Sequence, residues 1–497
     1  MSIQIHLYGK KKNVTGWEML FDQEKVPYLY KGTKLEKFSL INVLVGFELK
    51  AIPKNSRSVF IIEPTISQVV NSKYFSIMDS FNDSEIGEIK TYGYVKMEKL
   101  KGEYLGTFKT HQIHNDDLYP VTTIKKNKII FHCNLSQQLS LYGFTNNLIA
   151  PDAKGNMIYA HFSPVNKAGS IRFLRKTIIK AFSIAGLPYI HIWYYPTKQK
   201  SVFLFRQDVD YVDLNAMEKI YGITKKYHIK GTYFVNIDGG EEYDQDGPMG
   251  ELSKPTTPQR SLVLFKLLKD GNELANHGYV HTVEGDIIEN LRNIKRCSEV
   301  LLQLFNIKNK GYASPGGIYT IPLANAIDKS DMEYACNGCL GSDGFPYYPN
   351  IGRKKVKTLE IPFHLACDGF FEPFTNKFEQ SFIHRELLTY INRQLTNYEP
   401  IALMGHPHLA GKIADKFYPK IFDKIKKNRI PTMTILEFAR WWKKRQSLNF
   451  TYSFDGKSLD IIGSKGTFVE IIEGKKRKII QLSEKKIYIT NIQKRVV

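Results

Sequence analysis

Two aspartates, a pair of histidines four residues apart and one later histidine are the residues of this chain whose types and spacing could do chemistry together. Arg206-Gln207-Asp208-Val209-Asp210 follows the apolar run Ser201-Val202-Phe203-Leu204-Phe205. Asn276-His277-Gly278-Tyr279-Val280-His281 lies further on, and Met404-Gly405-His406-Pro407-His408 follows the apolar run Ile401-Ala402-Leu403. One Asp and two His are the oxygen and nitrogen donors that a catalytic zinc takes, with a fourth position left for water. A bound divalent ion makes water more acidic and polarises a carbonyl oxygen. Amide hydrolysis also needs a base for the water and an acid for the departing nitrogen, and a second Asp and a further His are left over for those roles. Each piece is weak alone. Asp-x-Asp at a strand end is as readily a solvated turn. A His-x-x-x-His pair arises easily by chance among 13 histidines, and on a helix it puts both rings on one face whether or not a metal is there. The combination is the specific signal.

In order and surroundings, these segments resemble the polysaccharide deacetylase superfamily, also called the NodB-homology or carbohydrate esterase family 4 group, over about residues 200 to 443. Phe205-Arg206-Gln207-Asp208-Val209-Asp210 resembles the Asp-x-Asp variant of the family's first motif. Glu273-Leu274-Ala275-Asn276-His277-Gly278-Tyr279-Val280-His281 resembles the metal-binding second motif. Gly311-Tyr312-Ala313-Ser314-Pro315-Gly316-Gly317 resembles the third, while Leu359-Glu360-Ile361-Pro362 and Met404-Gly405-His406-Pro407 look like later strand ends.

The resemblance implies a distorted (β/α) barrel of seven to eight strands and removal of N-acetyl groups from a carbohydrate. By position, Asp210, His277 and His281 would hold Zn2+ or another divalent transition metal. Asp208 would be the general base and His406 the general acid, with His408 as the alternative acid. Arg206, Tyr312, Pro315, Gly316 and Gly317 would line the substrate, a backbone N–H of the 312–317 segment facing the developing oxyanion. One position departs from the family pattern. Where many members carry an Arg that pairs with the catalytic Asp, this chain has Ala313. Either another cation, Arg206 being one candidate, replaces it, or catalysis is weakened or lost. Ala313 suggests one alternative, a catalytically inactive barrel that binds a glycan or a partner; the resemblance to the Asp-x-Asp variants, which include such enzymes, implies another, a hydrolase of another C–N amide bond.

The elements that must position these residues alternate in type. Strand-like runs at 202–205, 231–235, 359–363 and 401–404 alternate with helical patterns at 214–226, 261–270, 287–305 and 435–444, which implies a parallel sheet. Chemistry in such a barrel sits at the C-terminal strand ends, where Asp208, Asp210 and His406 fall. Residues 196–446 are therefore expected to form the barrel. Residues 1–195 read as a preceding α/β domain, with strands at 58–63, 128–131 and 189–195 and helices at 17–23 and 172–185. The text around Val26-Pro27-Tyr28 and Val59-Phe60-Ile61-Ile62-Glu63-Pro64 resembles glutamine-amidotransferase-like domains, but no Cys nucleophile motif accompanies it. Residues 447–497 change to a two-residue period, with Asp455-Gly456 and Glu473-Gly474 as turns, and read as a small β-rich module of five strands.

Bulk properties frame this reading. At 497 residues the chain is long enough for two or three domains. No apolar run is long enough to span a bilayer, and Met1 to Lys12 is polar and ends in Lys10-Lys11-Lys12 rather than entering an apolar signal segment. The 5 Cys suit a reducing compartment, and Cys336-x-x-Cys339 lacks a second pair at zinc-ribbon spacing. A cytoplasmic protein, peripheral to the membrane at most, is expected. The net charge of +21 is spread as solvated Lys faces without a nucleic-acid motif. It suits an anionic or lipid-linked N-acetylated glycan.

Overall fold

The computed structural model describes residues 2–53, 57–108, 119–139, 146–151, 157–162, 166–238, 257–337, 345–351, 354–363, 377–482 and 486–489. The chain forms two compact units. One comprises 1–142, 164–198 and 444–497, and the other 143–163 and 199–443. These bounds differ from a three-part division along the sequence, because the C-terminal strands share a unit with the N-terminal region.

The second unit is built on a seven-stranded sheet. From one edge it runs Leu359–Glu360, Tyr334–Ala335, Gly311–Tyr312, Glu273–Asn276, Gly231–Val235, Phe203–Val209 and Ile401–Gly405, and every pairing is parallel. It is a curled α/β sheet of the distorted-barrel type. The strand Phe203–Val209 is buried along its whole length, so its two faces do different work. Side chains alternate across a strand. Phe203 and Phe205 face helix Ala414–Lys427, where Tyr418 and Phe422 pack edge-on against Phe205. Gln207, on the same face, donates to Tyr418 Oη at 3.2 Å. Arg206 and Asp208 therefore share the opposite face.

Helices Leu214–Tyr227 and Ile287–Phe305 flank this sheet. Each starts at an Asp whose carboxylate accepts first-turn N–H groups: Asp213 from Ala216, and Asp286 from Ile288 and Glu289. Each ends on a left-handed residue, His228 or Asn306. The 21-residue helix Lys377–Asn397 and the helix Ala414–Lys427 also belong here.

The first unit holds a nine-stranded mixed sheet. Five strands are parallel, in the order Tyr28–Gly32, Ile5–Tyr8, Ile41–Val45, Val59–Glu63 and Lys128–Phe131. Four antiparallel strands, Tyr119–Lys125, Glu103–Phe108, Phe75–Asp83 and Gly87–Lys96, continue it. Glu63, at the end of its strand, is fully buried and accepts hydrogen bonds from Trp17 Nε1 at 2.6 Å, Ser136 N at 2.6 Å and Ser136 Oγ at 2.5 Å. Burial pushes its carboxyl up to about 7, and the three donors offset only part of that rise.

The C-terminal strands are woven into the same unit. Phe468–Glu473 pairs antiparallel with Tyr189–Ile192, and Ile3 N–H donates to Tyr452 O at 2.9 Å. Phe450, Tyr452, Leu459, Ile461 and Val469 share one apolar core with Ile5, Trp17 and Ile61. A tail of about fifty residues gains by this, since so short a segment has a marginal core alone.

Candidate metal and acid–base site

Asp208 and Asp210 leave the C-terminal end of strand Phe203–Val209, each 2% exposed. The neighbouring strand Ile401–Gly405 pairs through Gln207 and Gly405 and delivers His406 beside them. On the other side, Glu273–Asn276 ends at His277, whose N–H donates to Val235 O at 3.1 Å.

Asp210, His277 and His281 each offer one donor atom, all within 4.8 Å of one another. His277 Nε2 and His281 Nε2 both lie 3.2 Å from Asp210 Oδ1. Asp210 Oδ1 and His277 Nε2 are buried, yet neither makes a hydrogen bond of acceptable geometry. Orphaned buried polar atoms are rare and call for a reason. His277 Nδ1 is 2.9 Å from Ala313 O, to which it can only donate, so the neutral ring presents a bare lone pair at Nε2. A ligating His commonly has its other N–H held in this way. The oxygen and nitrogen donors, their mutual approach and their unsatisfied atoms all fit a divalent transition metal.

The spacing of His277 and His281 is not helical. The segment is a loop in which Gly278 takes φ +86°, where a Cβ would meet Val280 O at 2.8 Å. Three asparagines fix this loop. Asn276 Oδ1 accepts from Gly278 N, Asn293 Oδ1 accepts from Tyr279 N and Val280 N, and Asn236 Nδ2 donates to the carbonyls of His277 and Gly278. Asn236 and Asn293 were not singled out from sequence. The one available signal is that Asn236 follows the strand Gly231–Val235, at the end where the other site residues sit.

Arg206 is 1% exposed and clamps Asp208 with two parallel bonds, Nε to Oδ1 at 2.6 Å and Nη2 to Oδ2 at 2.5 Å. Residues two apart share a strand face, which lets the guanidinium reach along the strand. Its third nitrogen donates to Cys336 O at 2.5 Å, and its face lies on the rings of Phe363 and Phe234. The pair that Ala313 cannot make is thus made from the first motif. Burial alone would raise the Asp208 carboxyl, but Arg206, His277 and His406 together hold it below its ordinary value. Burial opposes Asp210 as well, and the adjoining His277 and His281 rings with His406 hold it well below.

His406 Nε2 lies 3.9 Å from Asp210 Oδ2, with 16% of its side chain exposed. Solvent reaches the site on this side and past His281, 12% exposed, while His277 is sealed. The chain does not stay extended after His406. A helical turn, Pro407–Ala410, begins there and directs the buried His408 ring onto Tyr211, 4.5 Å between centroids.

In the third-motif segment, Tyr312 is buried in the apolar cluster with Ile294, Tyr319 and Leu323, and Pro315 and Gly317 are buried. Gly316, with φ +60°, is exposed. The N–H groups of Ala313, Ser314 and Gly317 are engaged by Asn276 O, Asn337 Oδ1 and Ser314 O. These three are therefore not open as oxyanion donors. Cys336 is a free, buried thiol, and Cys339 lies outside the described residues.

A family model described as polysaccharide deacetylase matches residues 195–335. No curated protein matches the chain. Among solved structures, the carbohydrate deacetylase Agd3 is 10% identical over 99% of this chain and 99% of its own, at a TM-score of 0.43. A Mycobacterium smegmatis chain assigned as a polysaccharide deacetylase is 16% identical over 51% of this chain and 94% of its own, at 0.42. The Puue allantoinase is 15% identical over 50% of this chain and 93% of its own, at 0.40. At such identities and scores the assignment rests on the family model and on the motif residues, not on these structures. Within the barrel-forming unit, residues 195–335 therefore resemble the polysaccharide deacetylase family.

Proposed function

We propose that the barrel unit is a metal-dependent N-deacetylase acting on an N-acetylated glycan. The observation that carries this reading is the Asp210–His277–His281 cluster, in which Asp210 Oδ1 and His277 Nε2 are buried and unsatisfied, beside an aspartate that a buried arginine keeps ionised. Asp210, His277 and His281 would hold Zn2+ or another divalent ion, which when bound makes water more acidic and polarises the acetamide carbonyl.

The chain's own groups do the rest. Asp208 takes the proton from the attacking water. Arg206 fixes its carboxylate in one plane and keeps it charged, and each oxygen retains a lone pair for that proton. His277 is locked in the tautomer that leaves Nε2 bare. His406, at the solvent-facing rim, hands a proton to the departing amine nitrogen, a general-acid role that an imidazole can fill. His408, turned onto Tyr211, is the weaker candidate. The alternative of an inactive barrel was suggested by Ala313, and the Arg206–Asp208 pair supports the active reading instead.

The test is acetate release from N-acetylglucosamine oligomers by the full chain supplied with zinc. Release that ceases on chelation and in the Asp208→Asn variant is expected. Hydrolysis of a simple C–N amide without acetate release from any N-acetylated glycan would contradict the proposed substrate class. Metal binding without any turnover would contradict the activity itself.

A further inference from the structure

The run Gly9-Lys10-Lys11-Lys12-Asn13 has no part in the reading above. It follows the parallel strand Ile5–Tyr8 of the other unit, and its Gly9, Lys10, Lys12 and Asn13 line a cavity of about 480 Å³. That cavity sits at the C-terminal ends of the parallel strands. Thr33 follows Tyr28–Gly32, Gly9 and Lys10 follow Ile5–Tyr8, Gly46 follows Ile41–Val45, and Thr65 to Gln68 follow Val59–Glu63. The chain moves from Ile5–Tyr8 to the strand on one side, then returns to Ile41–Val45 on the other. The gap between those two strands is the topological switch point, where open α/β sheets place their ligands. Gly9 and Gly46 flank that gap.

Both glycines keep it open. Gly9 has φ +149° and a Cβ there would meet Val45 O at 3.0 Å, while Gly46 has φ +84° and a Cβ would meet Thr65 Cγ2 at 2.9 Å. The lining mixes apolar side chains (Val45, Phe47, Ile66) with polar ones (Asn13, Thr33, Gln137), and its charge is of one sign. Lys10 and Lys12 are its charged residues, and no Asp or Glu lines it. Lys11 is already paired with Glu18, whereas among the described residues Lys10 and Lys12 form no ion pair. The carboxylate at a neighbouring strand end, Glu63, is enclosed by Trp17 and Ser136 and is not part of the lining.

We propose that this cavity binds a small organic anion whose phosphate or carboxylate group is held by Lys10 and Lys12. The body of the molecule, of about monosaccharide size, lies against Thr33 and the 65–68 turn. Two cations without a facing carboxylate select negative charge. The hydroxyls and amides of Thr33, Thr65, Ser67 and Gln68, set among apolar side chains, suit a body that carries hydroxyl groups on a carbon frame.

The test uses the full chain and two probes, inorganic phosphate and glucuronate, with binding followed by calorimetry. At least one probe binds the wild-type chain, and the one that binds identifies the anion. Lys10→Ala/Lys12→Ala weakens that binding by about tenfold or more. Thr33→Trp, which fills the cavity without changing charge, does the same. Lys426→Ala/Lys427→Ala, which removes two exposed charges from the other unit, leaves it within about twofold. Asp210→Ala leaves it within the same margin, so failure here is separable from failure of the deacetylase reading. The proposal is overturned if neither probe binds, if the Lys10/Lys12 variant binds as the wild type does, or if the Lys426/Lys427 variant weakens binding equally.

Discussion

Glu63 in the first unit and Asp208 and Asp210 in the second are all buried carboxylates at C-terminal ends of parallel strands, yet their surroundings differ in kind. Glu63 meets only neutral donors, Trp17 and Ser136, which occupy both its oxygens. Without a cation nearby, burial wins and its carboxyl rises to about 7. Asp208 is gripped by a guanidinium, and Asp210 faces three imidazoles, so both are held below their ordinary value despite equal burial. Glu63 is also satisfied, whereas Asp210 Oδ1 and His277 Nε2 are left without acceptable bonds. A strand-end position therefore does not by itself mark chemistry. Guanidinium or imidazole neighbours and unmet lone pairs distinguish a carboxylate built to act from one built to tie loops together.

Five substitutions break or sharpen that contrast. Asp208→Asn should lower the rate of acetate release by about a hundredfold to ten-thousandfold, the usual worth of a positioned base, with metal content unchanged. An unchanged rate would assign the water's proton to another group. His406→Ala should cost about a hundredfold or more, and His408→Ala clearly less, because only the former lies at the open rim beside Asp210. The reverse order would exchange their roles.

Arg206→Met should lower stability by about 3–5 kcal/mol, since it strands a buried carboxylate, and should also slow turnover. A melting temperature unchanged by the substitution would show the clamp to be dispensable. The smallest effect is expected at Glu63. Its folded carboxyl titrates near 7 against an ordinary 4.5, so the folded state binds the proton more tightly. Its contribution is present below about pH 4.5 and is lost as pH rises through 7, up to about 3 kcal/mol. Glu63→Gln should flatten the fall in urea midpoint between pH 5 and 8 without altering metal content. An unchanged slope would mean that Glu63 titrates normally.

Much of the second unit was legible because its strands and helices carry strong periodicity. The expected runs at 231–235 and 287–305 coincide with Gly231–Val235 and Ile287–Phe305. The expected first-unit strand 128–131 does so too. Strand Leu359–Glu360 is shorter than its apolar run, because Pro362 has no N–H to extend a ladder. The antiparallel strands between Phe75 and Lys125 were not read, since their residues alternate weakly. Helices Lys377–Asn397 and Ala414–Lys427 were missed as well, the latter carrying Pro419 within it. At the site, the residue types and order were visible in the motifs. The loop geometry that brings His281 to Asp210 was not, because it depends on side-chain amides of Asn236 and Asn293 from separate elements. The direction of His408 was likewise set by a turn that begins only at Pro407.

The most direct test is the divalent-metal content of the purified full chain after exposure to zinc and gel filtration. The wild type should retain about one equivalent, and Asp210→Ala and His277→Ala should each lose it, because an open site has three protein ligands and tolerates the loss of none. Glu63→Gln should retain it. Stoichiometric zinc in both the Asp210 and His277 variants, or none in the wild type, would contradict the assignment of this cluster as a metal site.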